Sequence, residues 1–243
     1  METKKSLGQH FLTNENVAIK IVSLLKDEPI VVEIGGGKGA LTKKLIELKK
    51  AKIIVVIEID DDMLRLLKRK FEREGNLHLV KGDGRDIKIR KECVVCGNLP
   101  YNTAKVIIRN FVMQYAVIKR MIFMVQKEVA DIITAKSGTK NFNKFSVLCQ
   151  IYFHVKKLFD VKPGSFIPKP KVDSTVVEFK RKNTIPHIDE SFFSFLNKLF
   201  SHPRKTIKNN LNIELDEGLS KKRPSDLTLD EIQILWSKKW QKR

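Results

Sequence analysis

A polar tetrapeptide, Asn98-Leu99-Pro100-Tyr101, directly follows an apolar run at 93–97 that has the composition of a buried strand. Open α/β sheets bind their ligands at the carboxyl ends of strands. An Asn side chain offers a carbonyl oxygen that accepts a hydrogen bond from an amine, and a Tyr ring offers a flat face for a nucleobase. The tetrapeptide therefore indicates a site for a planar base with an amino group, although Asn and Pro also mark ordinary turns.

A glycine-rich segment at 33–40 joins an earlier strand-like run to a helix-like run. Glycines let the backbone approach a ligand, and the helix N-terminus behind them favours anions. A P-loop is excluded because Gly39, and not Ser or Thr, follows Lys38. A dinucleotide site stays open, since Gly35, Gly37 and Ala40 have its spacing. An S-adenosylmethionine site favours Glu-x-Gly-x-Gly-x-Gly, and the segment matches that pattern fully at Glu33, Gly35, Gly37 and Gly39.

Two acids follow the next two strand-like runs. Glu58 ends the second run, where a carboxylate accepts both ribose hydroxyls of a bound nucleoside. This role is common to NAD and S-adenosylmethionine, so Glu58 does not separate them. Asp83 follows the third run, and an acid there is suited to accept a hydrogen bond from an adenine amino group. Asp83 also lies between two glycines, as a simple turn residue would.

The charge of the chain indicates a polyanionic partner. Lysine and arginine exceed aspartate and glutamate by +19, and the isoelectric point is about 9.8. Basic pairs recur along the chain, which fits phosphate binding over a folded surface better than a disordered basic arm. Nucleic acid is the leading candidate and an anionic membrane surface the second.

Several classes are excluded by composition. We expect no membrane span, because no apolar stretch approaches the roughly 20 residues that one needs. We expect no secretory signal after Met1, and the three cysteines show no disulfide pattern, which suits the cytoplasm. Cys93 and Cys96 are interpreted as small buried hydrophobes. No cluster of residues has metal-ligand spacing, so we expect no metal.

The order of elements predicts an α/β fold. Strand-like runs at 30–34, 53–57, 77–80, 93–97 and 121–125 alternate with helical patterns, which is typical of βαβ units and a parallel sheet. Runs at 145–155 and 172–180 are predicted to form a late antiparallel pair, giving seven strands. The pattern then becomes wholly helical. We therefore predict a Rossmann-like α/β domain at 1–182 and a small all-α domain at 187–243.

With these residues assembled, the chain resembles the ribosomal RNA adenine N6-dimethyltransferase family over nearly its whole length. The resemblance rests on five motifs in order: the box Gly8-Gln9-His10-Phe11-Leu12, the glycine segment with Glu58 and Asp83, Asn98-Leu99-Pro100-Tyr101, Phe166-x-Pro168-x-Pro170-x-Val172-x-Ser174, and Arg204-Lys205-Thr206-Ile207-Lys208-Asn209. The last motif favours the KsgA-type small-subunit enzymes over the Erm-type large-subunit enzymes. Gly84 and Arg85 depart from the family pattern, and nothing in the sequence explains Arg85.

The resemblance implies a role for each motif. It implies S-adenosylmethionine as the cofactor, bound by Gln9, His10, Leu12, Gly35, Gly37, Glu58, Asp83 and Asn98. It implies that Asn98 and the Leu99 carbonyl hold the target amine, that Pro100 fixes the backbone, and that Tyr101 and Phe166 cover the base. Arg204, Lys205 and Lys208 are expected to bind RNA, in the first turns of a helix that begins at Pro203.

The function implied is dimethylation of two adjacent adenosines near the 3′ end of small-subunit rRNA by a monomeric cytoplasmic enzyme. The partner would be small-subunit rRNA within a ribosomal particle that is being assembled. The sequence is also compatible with three alternative functions: an Erm-type enzyme, a non-catalytic RNA-binding assembly factor, and an NAD oxidoreductase.

Overall fold

The structure is a computed structural model that describes residues 9–240, apart from the side chain of Lys239. Gly8, which begins the N-terminal box, lies outside the described residues. The strands are β1 (Phe11–Leu12), β2 (Glu28–Ile34), β3 (Ala51–Glu58), β4 (Leu77–Lys81), β5 (Cys93–Asn98), β6 (Ile118–Gln126), β7 (Phe153–Val161), β8 (Phe166–Ile167) and β9 (Ser174–Arg181). The helices are α1 (Glu15–Ser23), α2 (Ala40–Glu47), α3 (Asp61–Lys70), α4 (Ala104–Val112), α5 (Lys127–Ile133), α6 (Lys144–Tyr152), α7 (Glu190–Leu199), α8 (Ile207–Leu211), α9 (Glu217–Ser220) and α10 (Leu229–Lys239).

One seven-stranded sheet has the order β4-β3-β2-β5-β6-β9-β7. The pairs from β4 to β6 are parallel, and β9 runs antiparallel to β6. The central strands β2, β5 and β6 are largely buried, as expected for a sheet covered on both faces, whereas β4 at the edge is mostly exposed. This mostly parallel sheet, with one antiparallel strand late in the chain, confirms the predicted fold class.

The helices that flank the sheet begin where the sequence offers caps. The Asn14 side chain accepts from the Val17 backbone N–H at the start of α1, and Asp60 accepts from Asp62 at the start of α3. These caps satisfy donors that have no partner inside the helix. Because α2, α3 and α4 each follow a strand, their first turns and the strand ends lie at the same edge of the sheet.

The prediction of a strand over 145–155 was wrong for most of its length. Residues 144–152 form helix α6, and the strand β7 begins only at Phe153. Asn143 caps this helix and Ser146 completes a capping box with it. The run is apolar on nearly every side because α6 is buried on most of its surface, so its sequence has no clear helical period.

Contacts divide the chain into two compact units. Among the described residues, the first contains 9–130 together with 154–181 and carries the sheet. The second contains 131–153 and 182–240, so it includes α6, which the predicted domain boundary assigned to the first domain. Within the second unit, Trp236 packs edge-on against Phe192 at 5.3 Å and donates to the Ser191 hydroxyl at 2.9 Å. Over the described residues, no helix combines the length and apolar character that a bilayer span requires.

Candidate functional site

An open pocket lies in the first unit at the carboxyl ends of β2, β3 and β5. Its empty space, including the solvent at its mouth, is about 980 Å³. Residues from three of the sequence motifs line it: Gln9, His10, Phe11, Gly35, Gly37, Glu58, Asp83, Asn98, Leu99, Pro100 and Tyr101. The topology of parallel strands therefore brings together groups that are distant in the sequence.

The glycine segment forms one wall of this pocket. Gly37 has φ +52°, in the left-handed region that side chains rarely adopt, and a Cβ atom there would lie 3.1 Å from the Phe11 ring. Its backbone N–H donates to Glu58 Oε2 at 2.8 Å. Any other residue at position 37 would have a strained backbone and would crowd the Phe11 ring, and the glycine turn brings a main-chain surface to the edge of the pocket.

Glu58 ends β3 and is held by two backbone groups. It is only 3% exposed, and its Oε1 accepts from the Asp60 N–H at 2.9 Å while Oε2 accepts from Gly37. A carboxylate has roughly four lone-pair positions, so each oxygen keeps a position for a further donor. The orientation of Glu58 is therefore fixed, and it still has the capacity to accept a pair of hydroxyl groups.

Asp83 lies on the next loop and is paired with Arg85. The Arg85 backbone N–H donates to Asp83 Oδ1 at 2.9 Å, and Arg85 Nε donates to Oδ2 at 2.8 Å. Hydrogen bonding from the guanidinium lowers the pKa of the Asp83 carboxyl. Gly84 between them packs so closely that a Cβ atom would lie 2.8 Å from Ile34. The departure from the family pattern at Gly84 thus has a steric reason.

Asn98 ends β5 with its side-chain amide already oriented. Its Nδ2 donates to the backbone carbonyl of His10 at 2.8 Å. Because a carbonyl only accepts, the NH₂ group must face His10, which leaves Oδ1 as the acceptor of this side chain. The Leu99 N–H donates to Met124 on β6 at 3.1 Å, which anchors the backbone beyond the strand.

Tyr101 is held at both ends. Its hydroxyl bonds with the Ser174 hydroxyl at 2.7 Å, and its ring centroid lies 4.9 Å from that of His10, with 38° between the planes. Partial burial raises the pKa of the phenol, so it stays protonated. The ring is therefore a fixed wall of the pocket.

The N-terminal box is tied to the late proline-rich motif. Strands β1 and β8 form a two-stranded antiparallel sheet in which Leu12 pairs with Phe166. The His10 Nδ1–H donates to the Pro168 carbonyl at 2.7 Å. His10 of the N-terminal box thus contacts two other motifs. Its ring and its carbonyl contact the tetrapeptide at 98–101, and its Nδ1 contacts the proline-rich motif.

Phe166 does not occupy the position that the resemblance implied. It is 2% exposed and packs in the hydrophobic core with Leu12, and neither side chain lines the main pocket. The β1–β8 pairing directs both side chains inward on the same face. The Phe166 side chain is thus part of the core, whereas Leu12 also lines a smaller pocket together with Gly35, Gly37 and Asn98.

The basic motif of the second unit also differs from its predicted local structure. Pro203 does not begin a helix, because residues 201–205 form turns and α8 begins at Ile207. Thr206 is the cap residue, and its hydroxyl accepts from the Asn209 N–H. A threonine oxygen satisfies a free helix donor, which proline cannot do. Arg204, Lys205 and Lys208 are all exposed.

The comparisons with known proteins agree with this geometry. A sequence model described as ribosomal RNA adenine dimethylase matches residues 1–231. The chain belongs to this family. A Malacoplasma penetrans protein named ribosomal RNA small subunit methyltransferase A is 44% identical over 85% of this chain and 77% of its own. A Thermotoga maritima protein of the same name is 38% identical over 97% of this chain and 85% of its own.

Solved structures give the same fold. A dimethyladenosine transferase from Plasmodium falciparum superimposes with a TM-score of 0.81 at 26% identity, covering 94% of this chain and 98% of that one. The 23S rRNA methyltransferase ErmE has a TM-score of 0.73 at 20% identity, covering 91% and 97%. At that identity ErmE supports the fold alone. The predicted methyltransferase fold and family are confirmed.

Several residues that line the pocket were not among the predicted site residues, and Phe11 is one of them. Phe11 lines the pocket and contacts the glycine turn, and its place between His10 and Leu12 in the N-terminal box was the signal for it. Cys93 and Cys96 are buried as expected, and burial raises the pKa of the Cys93 thiol to about 12. Across residues 9–240, no three His, Cys, Asp or Glu side chains are grouped as metal ligands.

Proposed function

We propose that this chain uses S-adenosylmethionine to dimethylate N6 of two adjacent adenosines near the 3′ end of small-subunit rRNA. The observation that carries the proposal is the oriented amide of Asn98, which shares one pocket with the acids Glu58 and Asp83. The names of the bacterial relatives favour small-subunit RNA over the Erm-type alternative. The enzyme would act as a monomer in the cytoplasm, on a ribosomal particle that is being assembled.

The pocket residues fit an adenosine-containing cofactor. Glu58 keeps lone pairs on two fixed oxygens for the ribose hydroxyls, and Asp83 offers an acceptor to the adenine amino group. The glycine turn and the N-terminal box with Gln9 and His10 line the remaining side. When bound, S-adenosylmethionine supplies a methyl group on a positively charged sulfur.

The target amine would be held by two carbonyl oxygens. Adenine N6 is a poor nucleophile because its lone pair is delocalised into the ring. In the first transfer, Asn98 Oδ1 and the Leu99 carbonyl accept its two hydrogens, which turns the lone pair out of conjugation and stabilises the positive charge that develops on nitrogen. The methylated nitrogen then releases one proton to solvent, and its remaining N–H is held for the second transfer. Acceptors that are already aligned need little reorganisation, and the His10 carbonyl provides this alignment for Asn98.

Tyr101 would stack on the target base. Its ring is fixed by Ser174 and by the His10 ring, so stacking requires little further ordering. A base that enters this pocket must be unpaired or rotated out of its helix. Phe166 has no role in this proposal because it is buried in the core.

The test is mass spectrometry of adenosine in small-subunit rRNA after incubation with labelled cofactor. We expect dimethyladenosine with the native chain and a loss of at least roughly a hundredfold in rate with Asn98→Ala, with RNA binding retained. Asn16→Ala, on the exposed part of α1, is the matched control and should react normally. Methylation of large-subunit RNA alone would support the Erm-type reading, and RNA binding without any methyl transfer would support an assembly factor. Calorimetric binding of NAD in place of S-adenosylhomocysteine would support an oxidoreductase.

A further inference from the structure

Arg85, which departs from the family pattern, lies beside Asp83, the acid proposed to bind the adenine amino group. Both residues line the pocket, with side chains that are 50% exposed for Arg85 and 20% exposed for Asp83. Three N–H groups of Arg85 bond the carboxylate: the backbone N–H at Oδ1, and Nε and Nη2 at Oδ2. Within residues 9–240, these are the donors that the Asp83 carboxylate has.

The number of acceptor positions limits what this carboxylate can still bind. A carboxylate has roughly four lone-pair positions, two on each oxygen. Arg85 occupies both positions on Oδ2 and one on Oδ1. One position remains, on Oδ1, and it can take one N–H of an amino group. An ionised carboxylate only accepts, so a ring carbonyl placed there would meet a second acceptor.

Hydrogen bonds to the backbone fix the loop that carries Asp83 and Arg85. The side chain of Asn110 on α4 donates to the carbonyls of Gly84 and Ile87, at 3.0 Å and 2.9 Å. The N–H groups of Asp86 and Ile87 donate to the Asp83 carbonyl and close the turn. The backbone is therefore held by α4, and the remaining freedom of the Asp83 carboxylate is restricted by Arg85.

We propose that Arg85 is a positioning residue that makes the pocket selective for a 6-aminopurine nucleoside over a 6-oxopurine nucleoside. It acts through Asp83, because it holds the carboxylate in one orientation with one acceptor position left. The proposal rests on the proposed function in assigning the adenine amino group to Asp83. An ordinary exposed ion pair would contribute little and would not affect which base is bound.

The test is calorimetry of two ligands, S-adenosylhomocysteine and its deaminated 6-oxo analogue S-inosylhomocysteine. We expect Arg85→Met to weaken binding of the adenosine ligand by roughly tenfold and to leave binding of the inosine ligand nearly unchanged, so that selectivity falls by the same factor. Arg85→Lys should recover only part of the lost affinity. The lysine ammonium still donates to the carboxylate, but from a single atom, so it cannot form the two-atom fork of the guanidinium. Arg65→Met is the control, since Arg65 forms a similar exposed pair with Asp62 outside the pocket.

A double-mutant cycle separates this role from a structural one. In an Asp83→Ala background, Arg85→Met should have no further effect on either ligand, because Arg85 acts through that carboxylate. Unchanged or tighter binding of the adenosine ligand by Arg85→Met would overturn the proposal, as would an equal loss for both ligands. If Asp83→Ala itself left binding intact, or the native chain bound neither ligand, the cofactor assignment of the proposed function would fail instead, and with it this inference.

Discussion

At the scale of single residues, the buried carboxyl of Glu33, at the start of the glycine segment, makes the stability of the chain depend on pH. Its side chain is 1% exposed, and the Thr42 hydroxyl donates to its Oε2 at 2.6 Å. Burial raises the pKa of the Glu33 carboxyl from 4.5 to about 8, with a smaller contribution from the charge of Glu58. A folded chain that binds this proton more tightly than the unfolded chain is most stable at low pH. The free energy of unfolding therefore falls as the pH rises from 4.5 to about 8.

We expect Glu33→Gln to remove this pH dependence, because the amide cannot ionise and still offers Thr42 an oxygen. The two proteins should have similar free energies of unfolding at about pH 5, and the variant should be more stable by a few kcal/mol at about pH 9. Urea unfolding at both pH values measures the difference. If the two proteins differed in free energy of unfolding by the same amount at both pH values, Glu33 would ionise as an exposed glutamate does.

The residues of the site were predictable to different degrees. Asn98, Glu58 and Asp83 were found because each follows a strand and has a side chain suited to its ligand. The fork of Arg85 on Asp83 was not predictable, because the spacing of the two residues does not determine a rotamer. The burial of Phe166 depends on a partner strand that is distant in the sequence.

At the scale of elements, the contact of β1 with the glycine turn connects two motifs. A Cβ atom on Gly37 would lie only 3.1 Å from the Phe11 ring, which is tighter than an ordinary contact. The same strand pairs with β8 and the Phe11 side chain is buried, so the position of the ring is restrained. A methyl group at residue 37 would therefore displace the segment that carries Gln9 and His10 into the pocket.

We expect Gly37→Ala to lower the free energy of unfolding by about 1–2 kcal/mol and to weaken binding of S-adenosylhomocysteine by roughly tenfold or more. Gly138→Ala is the control, because Gly138 also has positive φ, at +78°, but nothing lies within 4 Å of its Cβ position. It should lose similar stability and bind normally. If both variants bound normally, the β1 contact would have no part in the pocket.

The sequence predicted most elements, and the exceptions have physical causes. The parallel strands were found because their apolar runs are short and are separated by amphipathic helices. Helix α6 was missed because it is buried on most sides, which removes its helical period, and the informative signal was the capping pair Asn143 and Ser146. Helix α8 was placed too early because the cap at Thr206 was overlooked in favour of Pro203.

At the scale of the whole molecule, the charge of +19 favours binding to any polyanion. Such attraction is long-ranged and weakly dependent on position, so it does not by itself require a binding site. Arg204, Lys205 and Lys208 are exposed, and among the described residues they form no ion pair within 4.0 Å. They are therefore available to phosphates without first breaking a pair.

We expect the triple variant Arg204→Gln, Lys205→Gln and Lys208→Gln to bind small-subunit rRNA more weakly and with a smaller salt dependence. Each phosphate contact that is lost should reduce the slope of log affinity against log salt by about 0.7–0.9. The control removes the same charge at Lys52, Lys68 and Arg69, which are exposed on β3 and α3. Binding of S-adenosylhomocysteine, measured by calorimetry, should be unchanged in both.

The two variants separate a local site from the effect of net charge. They have the same net charge, so a purely long-range attraction would reduce RNA affinity and salt slope equally in both. A local phosphate site at the turn before α8 would reduce them mainly in the first variant, because counterions are released where the phosphates are contacted. Equal losses would therefore contradict the assignment of RNA contacts to Arg204, Lys205 and Lys208, while leaving the cofactor pocket of the first unit unaffected.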